Sequence, residues 1–433
     1  MKARDSRICI IGAGAAGLAA AYYLMRKGYT KVVVLERSSR VGGKCRTVEF
    51  EGRCFDIGAN YVTAGYSEVL QIARTFGAAL YTEAPAITAN VSSSGAVKFS
   101  RPLTAIARRV TLPRFAWAAI RYFWIRLRLR ELIDVAGFGG ISKHSELCVS
   151  FRDWLTRNRL SALEPMFEVP ITIMGYGYLG EIPAPYALKY LNLATYWNLI
   201  VVALSLPTQW PKRFVDGFEG FWRKVARQLD VRLGIDITSV DRDGPIKVQT
   251  GNDGVMAFDY LILASPLSAD LLERFLTLSD EERDLFKRII VNNYVVTTYA
   301  IPNLRLPKRI VAMTPIPEIG RPWAITQQYA DRDFIQFYTR MNGPLGGNEA
   351  VVSGAIRELV TKLGGALPEH YISSDEWAYF PHIAAEDFGT GFYDRLEGLQ
   401  GRSNTFYCGG VAAFELVETT VRYSKDLIET YFS

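Results

Sequence analysis

Histidine is scarce in this chain of 433 residues, which contains only His144, His370 and His382. Three histidines that lie far apart in the sequence provide few side chains for a hydrolytic metal site or for a serine–histidine–aspartate triad. The five cysteines form no CxxC pair, and their odd number argues against a disulfide framework. We therefore expect a reduced, cytoplasmic protein without a metal site.

Long apolar runs are also lacking. Leu199–Leu206 is far shorter than the roughly 20 residues that a membrane-spanning helix needs. The first apolar run is interrupted by three glycines, so we expect a strand and a turn there rather than a signal peptide. We expect no separate NADPH site. We expect a protein that is soluble or at most bound to a surface.

The composition is that of a folded protein, with 49% hydrophobic and 22% charged residues, and the length favours two or three domains. The net charge of +6 is unevenly distributed. Between Arg101 and Arg130 there are eight arginines and no acidic residue.

The strongest motif lies near the start of the chain. Ile8–Ile11 has the apolar, β-branched pattern of a buried parallel strand, and Leu18–Lys27 has that of a helix. Between them Gly12 permits a tight turn, Gly14 lets the backbone approach a pyrophosphate, and Gly17 allows the helix to pack on the strand. The phosphates would then face the helix N-terminus.

A second strand, Lys31–Leu35, ends at Glu36, whose carboxylate can accept hydrogen bonds from both hydroxyls of a ribose. The segment RSSRVGGK (Arg37–Lys44) follows and brings a second glycine pair against the phosphates. Phe55–Asn60 (FDIGAN) comes next. Strand, turn, helix, strand and acid occur in the order of a dinucleotide-binding unit.

This pattern resembles the FAD-binding motif of the flavin amine oxidase and phytoene desaturase superfamily, which implies FAD as the cofactor. The superfamily also places the backbone of Ile237 against the adenine, and the start of a C-terminal helix (Val417–Thr420) at the flavin. An ordinary terminal helix that closes the domain is the alternative. The motif and the resemblance together predict the following FAD contacts: Gly12, Gly14, Ala15, Ala16, Gly17, Glu36, Arg37, Gly42, Gly43, Lys44, Gly58, Ala59, Asn60, Ile237, Gly409, Gly410, Glu418 and Thr419.

Further stretches resemble the bacterial polyunsaturated fatty acid double-bond isomerases: Gly175–Tyr190, Trp377–Asp387, Glu397–Tyr407 and Tyr423–Leu427. The resemblance implies that flavin N5 takes a hydride from a bis-allylic carbon and returns it elsewhere on the chain. The substrate would be a hydrophobic small molecule, a polyunsaturated fatty acid or a related polyene. Residues in or directly after matched stretches that could line its tunnel, or simply belong to the core, are Tyr61, Tyr176, Tyr178, Phe380 and His382.

The chain departs from those isomerases at three places. The arginine that clamps the substrate carboxylate in the family falls near Ala86–Ile87, where no basic residue stands. The position of an aromatic gate in that family corresponds to the region of Leu193, which is not aromatic. The acid that usually follows the last FAD-contacting glycine is replaced by Gly410. The first two departures leave an esterified lipid or another polyene open as the substrate.

The predicted fold class is α/β: a Rossmann-type FAD-binding domain assembled from discontinuous segments, a mixed-sheet substrate domain and a helical insert. The expected FAD-binding segments are residues 1–76, 211–269 and 396–433. Residues 77–100 and 270–395 would form the substrate sheet, and residues 101–210 the helical insert.

Two other functions remain open. An oxidase or dehydrogenase of the amine oxidase type would use oxygen as acceptor, but Val291–Ile301 lacks the lysine common to that class on a central strand. A non-catalytic FAD-bound binding protein would have its flavin N5 walled off. The arginine cluster, which interleaves aromatic residues, suits peripheral membrane contact through residues 101–130. A solvated helix face is the alternative, and nothing else supports nucleic-acid binding.

Overall fold

The computed structural model describes residues 2–83, 87–91, 97–251, 254–302, 304, 306–307 and 309–432. Its strands, in chain order, are β1 (Arg7–Ile11), β2 (Lys31–Leu35), β3 (Thr47–Phe50), β4 (Arg53–Asp56), β5 (Leu80–Thr82), β6 (Ile87–Val91), β7 (Val97–Ser100), β8 (Lys212–Phe214), β9 (Asp230–Arg232), β10 (Ile237–Asp241), β11 (Ile246–Thr250), β12 (Gly254–Phe258), β13 (Tyr260–Leu263), β14 (Ile290–Ala300), β15 (Ile310–Thr314), β16 (Pro322–Thr326), β17 (Phe334–Met341), β18 (Ser373–His382) and β19 (Thr405–Tyr407).

Its α-helices are α1 (Ala15–Arg26), α2 (Ser67–Thr75), α3 (Pro102–Ala107), α4 (Leu112–Arg128), α5 (Arg130–Ile133), α6 (Phe151–Arg157), α7 (Glu164–Ile173), α8 (Ala184–Tyr190), α9 (Leu193–Ala203), α10 (Gly217–Ala226), α11 (Ala269–Leu272), α12 (Asp280–Phe286), α13 (Glu349–Lys362), α14 (Ala385–Gly389), α15 (Phe392–Gly398), α16 (Gly410–Ala413) and α17 (Val417–Tyr431).

A five-stranded parallel sheet of order β19-β13-β1-β2-β9 brings together strands from both ends of the chain. Its centre, β1, is apolar and buried after its first residue, as a strand covered on both faces should be. The sheet confirms the predicted α/β class. The helix after the glycine turn begins at Ala15, three residues before the predicted start, because Gly14 is its N-cap.

The second large sheet is mixed and has seven strands in the order β18-β14-β17-β16-β15-β6-β7. Its long strand β14 pairs antiparallel with both β17 and β18. Buried residues of α13, among them Val352 and Ile356, share a core with Val295 and Phe337 of the sheet. The other face of the sheet is left for the site described below.

A helical segment, α3 to α9, lies between β7 and β8. Its longest helix, α4, buries Phe115, Ala118, Tyr122 and Arg126 against the protein. Arg126 is therefore the one arginine of the cluster that lies in the protein interior. Its guanidinium pairs with Asp134 and donates to the Leu188 carbonyl.

Among the described residues, the helices are all too short or too polar to cross a bilayer.

Candidate active site

The glycine turn after β1 is fixed by packing at two of its three glycines. Gly12 has a φ of +108°, and a Cβ there would lie 3.1 Å from the Ala264 backbone. A Cβ on Gly17 would lie 1.9 Å from the Gly12 carbonyl oxygen. Only glycine therefore allows α1 to approach β1 this closely.

Gly14 has no such structural reason. Its φ of −76° suits any residue, and the atom nearest to a Cβ there is the Gly43 Cα at 3.9 Å. The first turn of α1 contains no acidic residue, and no side chain caps it. Open space therefore lies before a helix N-terminus whose first amides lack intrahelical partners, which fits a pyrophosphate.

Glu36 stands at the end of β2, beside the glycine turn. Its carboxylate accepts hydrogen bonds of 2.8 Å from the amides of Ala13 and Ser38. Each carboxylate oxygen keeps a lone pair for a further donor such as a ribose hydroxyl. Ile235 donates its amide to the Glu36 carbonyl oxygen, so the chain leading to Ile237 runs past the same point. Arg37 is exposed.

The second glycine pair lies against the first motif. Gly42 donates its amide to the Ala13 carbonyl oxygen at 2.8 Å and forms a parallel bridge with Gly14. A Cβ on Gly58 would lie 1.9 Å from the Lys44 carbonyl oxygen, and Ala59 donates its amide to that same oxygen. The segments predicted to hold the phosphates and the flavin thus lie against each other, and we call the region that they border the cofactor cleft.

Asn60, at the end of this segment, is buried and donates to the Tyr338 hydroxyl at 3.1 Å. Asp56, nearby in the sequence, is also buried, and its Oδ2 is among the buried polar atoms without a partner. Burial raises the pKa of Asp56 to about 6, although Thr47, Arg213 and the Phe218 amide act against that rise.

A residue that the sequence analysis did not identify, Glu415, lies beside the C-terminal glycine pair. Glu415 pairs with Lys44 at 2.9 Å, so the Lys44 ammonium is engaged by a carboxylate inside the cleft. A Cβ on Gly410 would lie 1.9 Å from Glu415 Oε2. Glu415 therefore fills the space into which a side chain at position 410 would project. Gly409 has a φ of +129°, and no non-neighbouring atom of the described residues lies within 4 Å of a Cβ placed there.

Helix α17 begins at Val417, at the place expected for the flavin-facing helix. Glu418 turns away toward α2, where it accepts hydrogen bonds from Ser67 Oγ and from the amides of Glu68 and Val69. The Thr419 hydroxyl lies within hydrogen-bonding distance of the Phe414 and Leu416 carbonyl oxygens. Both side chains therefore shape the start of the helix.

A continuous group of rings borders this cleft, and we call it the aromatic wall: Tyr176, Tyr186, Tyr190, Tyr379, Phe380, His382 and Phe414. Tyr176 lies at its centre, 5.8 Å from Tyr379 and 4.8 Å from Phe414 between ring centroids. Its hydroxyl donates to the Glu415 carbonyl oxygen at 2.9 Å. Lys44 Nζ lies 5.7 Å from the Tyr379 ring centroid. The wall therefore adjoins the segments predicted to hold the flavin.

Two residues of the wall have an unusual backbone conformation. Phe380 has a φ of +50° and Phe414 a φ of +85°, each costing on the order of 1–3 kcal/mol in a non-glycine residue. Such strain persists where the surrounding structure holds it, and it clusters at functional sites.

The titratable groups of the wall are neutral at pH 7. Burial raises the pKa of Tyr176, Tyr186, Tyr190 and Tyr379 well beyond the usual range of a phenol. Burial lowers the pKa of His382 to about 4, against the opposing effect of the hydrogen bond from Nδ1 to the Phe380 carbonyl oxygen. The wall therefore contains no group suited to act as a base at neutral pH.

Two of the predicted tunnel residues lie apart from the wall. Tyr61 accepts a hydrogen bond from Arg213, which is fully buried and paired with Glu83. Tyr178 donates to the Pro317 carbonyl oxygen and packs against Trp323. Of the five predicted residues, Tyr176, Phe380 and His382 are brought together.

Comparisons with known proteins agree with this geometry. A family model described as flavin-containing amine oxidoreductase matches residues 15–139. The CLA-producing fatty acid isomerase from P. acnes is 26% identical, covers 100% of both chains and superimposes with a TM-score of 0.87. The polyenoic fatty acid isomerase of Ptilota filicina is 23% identical over 42% of this chain and 40% of its own length. The FAD-dependent oxidoreductase dpchF of Colletotrichum higginsianum is 23% identical over 94% of this chain and 89% of its own length.

The chain is an FAD-dependent enzyme with an amine oxidase-type fold. In this flavoenzyme the open space at Gly14 would take the pyrophosphate, and Glu36 would take the ribose. The individual FAD contacts named from the sequence remain predictions.

Several residues of the flavoenzyme's candidate site were not identified from its sequence. Glu415 lies five residues after Gly410, and no periodic pattern marks it. Tyr190 and Tyr379 lie inside the stretches that carry the family resemblance, so an inspection of all aromatic residues there would have found them. Phe414, in a turn between two helices, gave no such indication.

Proposed function

We propose that the protein is a flavin-dependent isomerase that moves a carbon–carbon double bond in a polyunsaturated fatty acid or a related polyene. The observation that carries the proposal is the aromatic wall, which adjoins the cofactor cleft and whose titratable groups are neutral. The fatty acid isomerase from P. acnes and the polyenoic fatty acid isomerase of Ptilota filicina support the same reaction class.

Bound FAD would supply a group that accepts a hydride and gives it back, so a double bond can move without net oxidation. The rings of the wall would hold the unsaturated chain and exclude water from it. Loss of hydride from a carbon between two double bonds leaves a positive charge spread over five carbons. The π faces of Tyr176 and Tyr379 attract such a charge.

Neutral side chains matter for this reaction. A protonated histidine beside the delocalised cation would repel it, whereas His382, with a pKa of about 4, is uncharged at pH 7. The start of α17 would favour negative charge on the reduced cofactor by about 0.3–1 kcal/mol or more.

An amine oxidase reaction has less support. The superfamily's oxidases commonly carry a lysine on a central strand of the substrate domain, and β14, β17 and β18 contain none. Lys189 is buried, but its Nζ is held by the carbonyl oxygens of Val135, Ala136 and Gly137.

The proposal includes substrates with a free carboxylate and substrates with an esterified one. Ile87, at the start of β6, is apolar where the isomerases that this chain resembles clamp a carboxylate. Ala86 lies outside the described residues. Leu193, where those isomerases have an aromatic gate, is the first residue of α9. We therefore include esterified polyenes among the proposed substrates.

We further propose that the protein works in the cytoplasm, where its five free cysteines stay reduced. Contact of residues 101–130 with a membrane would bring hydrophobic substrates close to it.

The test is an anaerobic incubation of the purified holoprotein with linoleate and with methyl linoleate, followed by ultraviolet absorbance of conjugated dienes. Oleate, which has no carbon between two double bonds, is the matched control substrate. Diene formation without oxygen, from either form of linoleate but not from oleate, supports the isomerase. Product that forms only in air, with an equivalent of hydrogen peroxide, would establish an oxidase instead.

A further inference from the structure

Helix α4 exposes an apolar face to solvent. Trp117, Ile120 and Trp124 are 51%, 63% and 56% exposed, and Phe123 and Leu112 are also exposed. Positions 117, 120 and 124 follow the spacing of one helix face. The buried residues Phe115, Ala118, Tyr122 and Arg126 pack against the protein on the other side. A soluble protein rarely leaves several large side chains together in water without a partner.

The neighbouring helix α9 adds to the exposed apolar surface of the insert. It packs on α4 through Tyr196, whose hydroxyl donates to the Ala119 carbonyl oxygen at 2.8 Å. Its own Trp197 is 66% exposed, and Leu204 and Leu206, just beyond its end, are also exposed. We call α4 together with residues 197–206 the aromatic–arginine face.

The charged residues within this face are all arginines. Of the eight arginines from Arg101 to Arg130 only Arg126 is buried, and the segment contains no acidic residue. Arg109 pairs with Glu168 from α7, and Arg121 donates to the Asn158 carbonyl oxygen while its guanidinium lies 5.4 Å from the Trp117 ring. Exposed tryptophans beside arginines are typical of helices that lie in a membrane interface.

We propose that the aromatic–arginine face docks the protein onto the surface of an anionic phospholipid bilayer. The arginines would meet lipid phosphates, while Trp117, Ile120 and Trp124 would enter the boundary of the acyl chains. The contact is peripheral and does not depend on which reaction the enzyme performs. The combination of apolar side chains with unbalanced positive charge favours this occupant over a second copy of the chain, since two such faces would repel each other.

The test is flotation of the FAD-loaded protein with vesicles of phosphatidylcholine alone and of phosphatidylcholine with about one third phosphatidylglycerol. We expect binding to the anionic vesicles to be at least about tenfold tighter, to weaken with added salt, and to shift tryptophan fluorescence to the blue. The variant Trp117→Ser/Trp124→Ser should bind about tenfold or more weakly.

The matched control is Val255→Ser/Val351→Ser, which removes two exposed apolar side chains from β12 and α13. It should float like the wild type, and both double variants should keep their flavin absorbance. Equal binding by the Trp117→Ser/Trp124→Ser variant and the wild type would overturn the proposal. So would failure to bind anionic vesicles, or a dimer in solution that this variant dissociates.

Discussion

The cofactor cleft and the aromatic wall adjoin each other but are built in different ways. The cleft is made largely of backbone: Gly12, Gly17 and Gly58 allow close approach, and Gly14 leaves space. The wall is made of side chains that come from the loop between α7 and α8, from α8, from β18 and from the turn before α17. A site made of backbone leaves a local pattern in the sequence, whereas a site made of distant rings does not.

The largest effect is expected from substitutions that place a side chain in the cofactor cleft. Gly14→Val should fold but purify without FAD, because its side chain would enter open space that we assign to the pyrophosphate. Gly17→Val should fail to fold, because its Cβ would overlap the Gly12 carbonyl oxygen. Absorbance at flavin wavelengths and thermal unfolding separate the two results.

Gly354→Val, in α13, is the control for this pair, since among the described residues no atom outside the backbone of that helix lies within 4 Å of a Cβ there. It should keep both FAD and fold. A Gly14→Val protein that retained a full complement of FAD would refute the assignment of that space.

The burial of His382 in the aromatic wall should make the free energy of unfolding depend on pH. His382 has a folded-state pKa of about 4, below the usual 6.5, so the unfolded chain takes up a proton before the folded one does. Its contribution to stability is full above about pH 6.5 and is lost as the pH falls toward 4, on the order of 3 kcal/mol in all.

Denaturant unfolding between pH 4 and 7 should therefore show a steeper loss of stability for the wild type than for His382→Gln. Comparing the two proteins cancels the opposite contribution of Asp56, whose raised pKa makes the fold more stable as the pH falls. Parallel curves for the two proteins would mean that water reaches the His382 ring.

Removal of a ring should affect turnover rather than cofactor binding. Tyr379→Leu should lower kcat for diene formation about tenfold, or about 1.4 kcal/mol, because a π face beside the developing cation is lost. Tyr379→Phe should restore most of the rate. Tyr299→Leu, in the core under α13, is the control and should leave kcat unchanged. Loss of FAD from Tyr379→Leu would instead assign this ring to the cleft.

The smallest expected effect concerns the contact between Lys44 and Glu415. Gly410→Ala should destabilise the wild type by about 1 kcal/mol, because the new Cβ displaces the Glu415 carboxylate from Lys44. In a Glu415→Ala background the same substitution should cost nothing. Equal costs in the two backgrounds would show that Glu415 does not occupy that space.

More of the cofactor cleft than of the aromatic wall could be predicted from the sequence. The strand β1, the glycine turn, Glu36 and Gly42–Gly43 were predictable because their chemistry depends on neighbours within about 30 residues. Glu415 and Phe414 were not, because their roles arise only when the turn before α17 folds against Lys44 and Tyr176. The burial of Arg126 was missed for a similar reason, since its partners Asp134 and Leu188 reach it through tertiary packing.

The most direct measurement uses linoleate that carries two deuterium atoms on the methylene between its double bonds, incubated anaerobically with the holoprotein. Redox-neutral hydride return predicts a conjugated product that keeps both deuterium atoms, one of them moved to an end of the former pentadiene. A product that has exchanged one deuterium for a solvent proton, or formation of product only with oxygen, would contradict the proposed hydride return in a site closed to water.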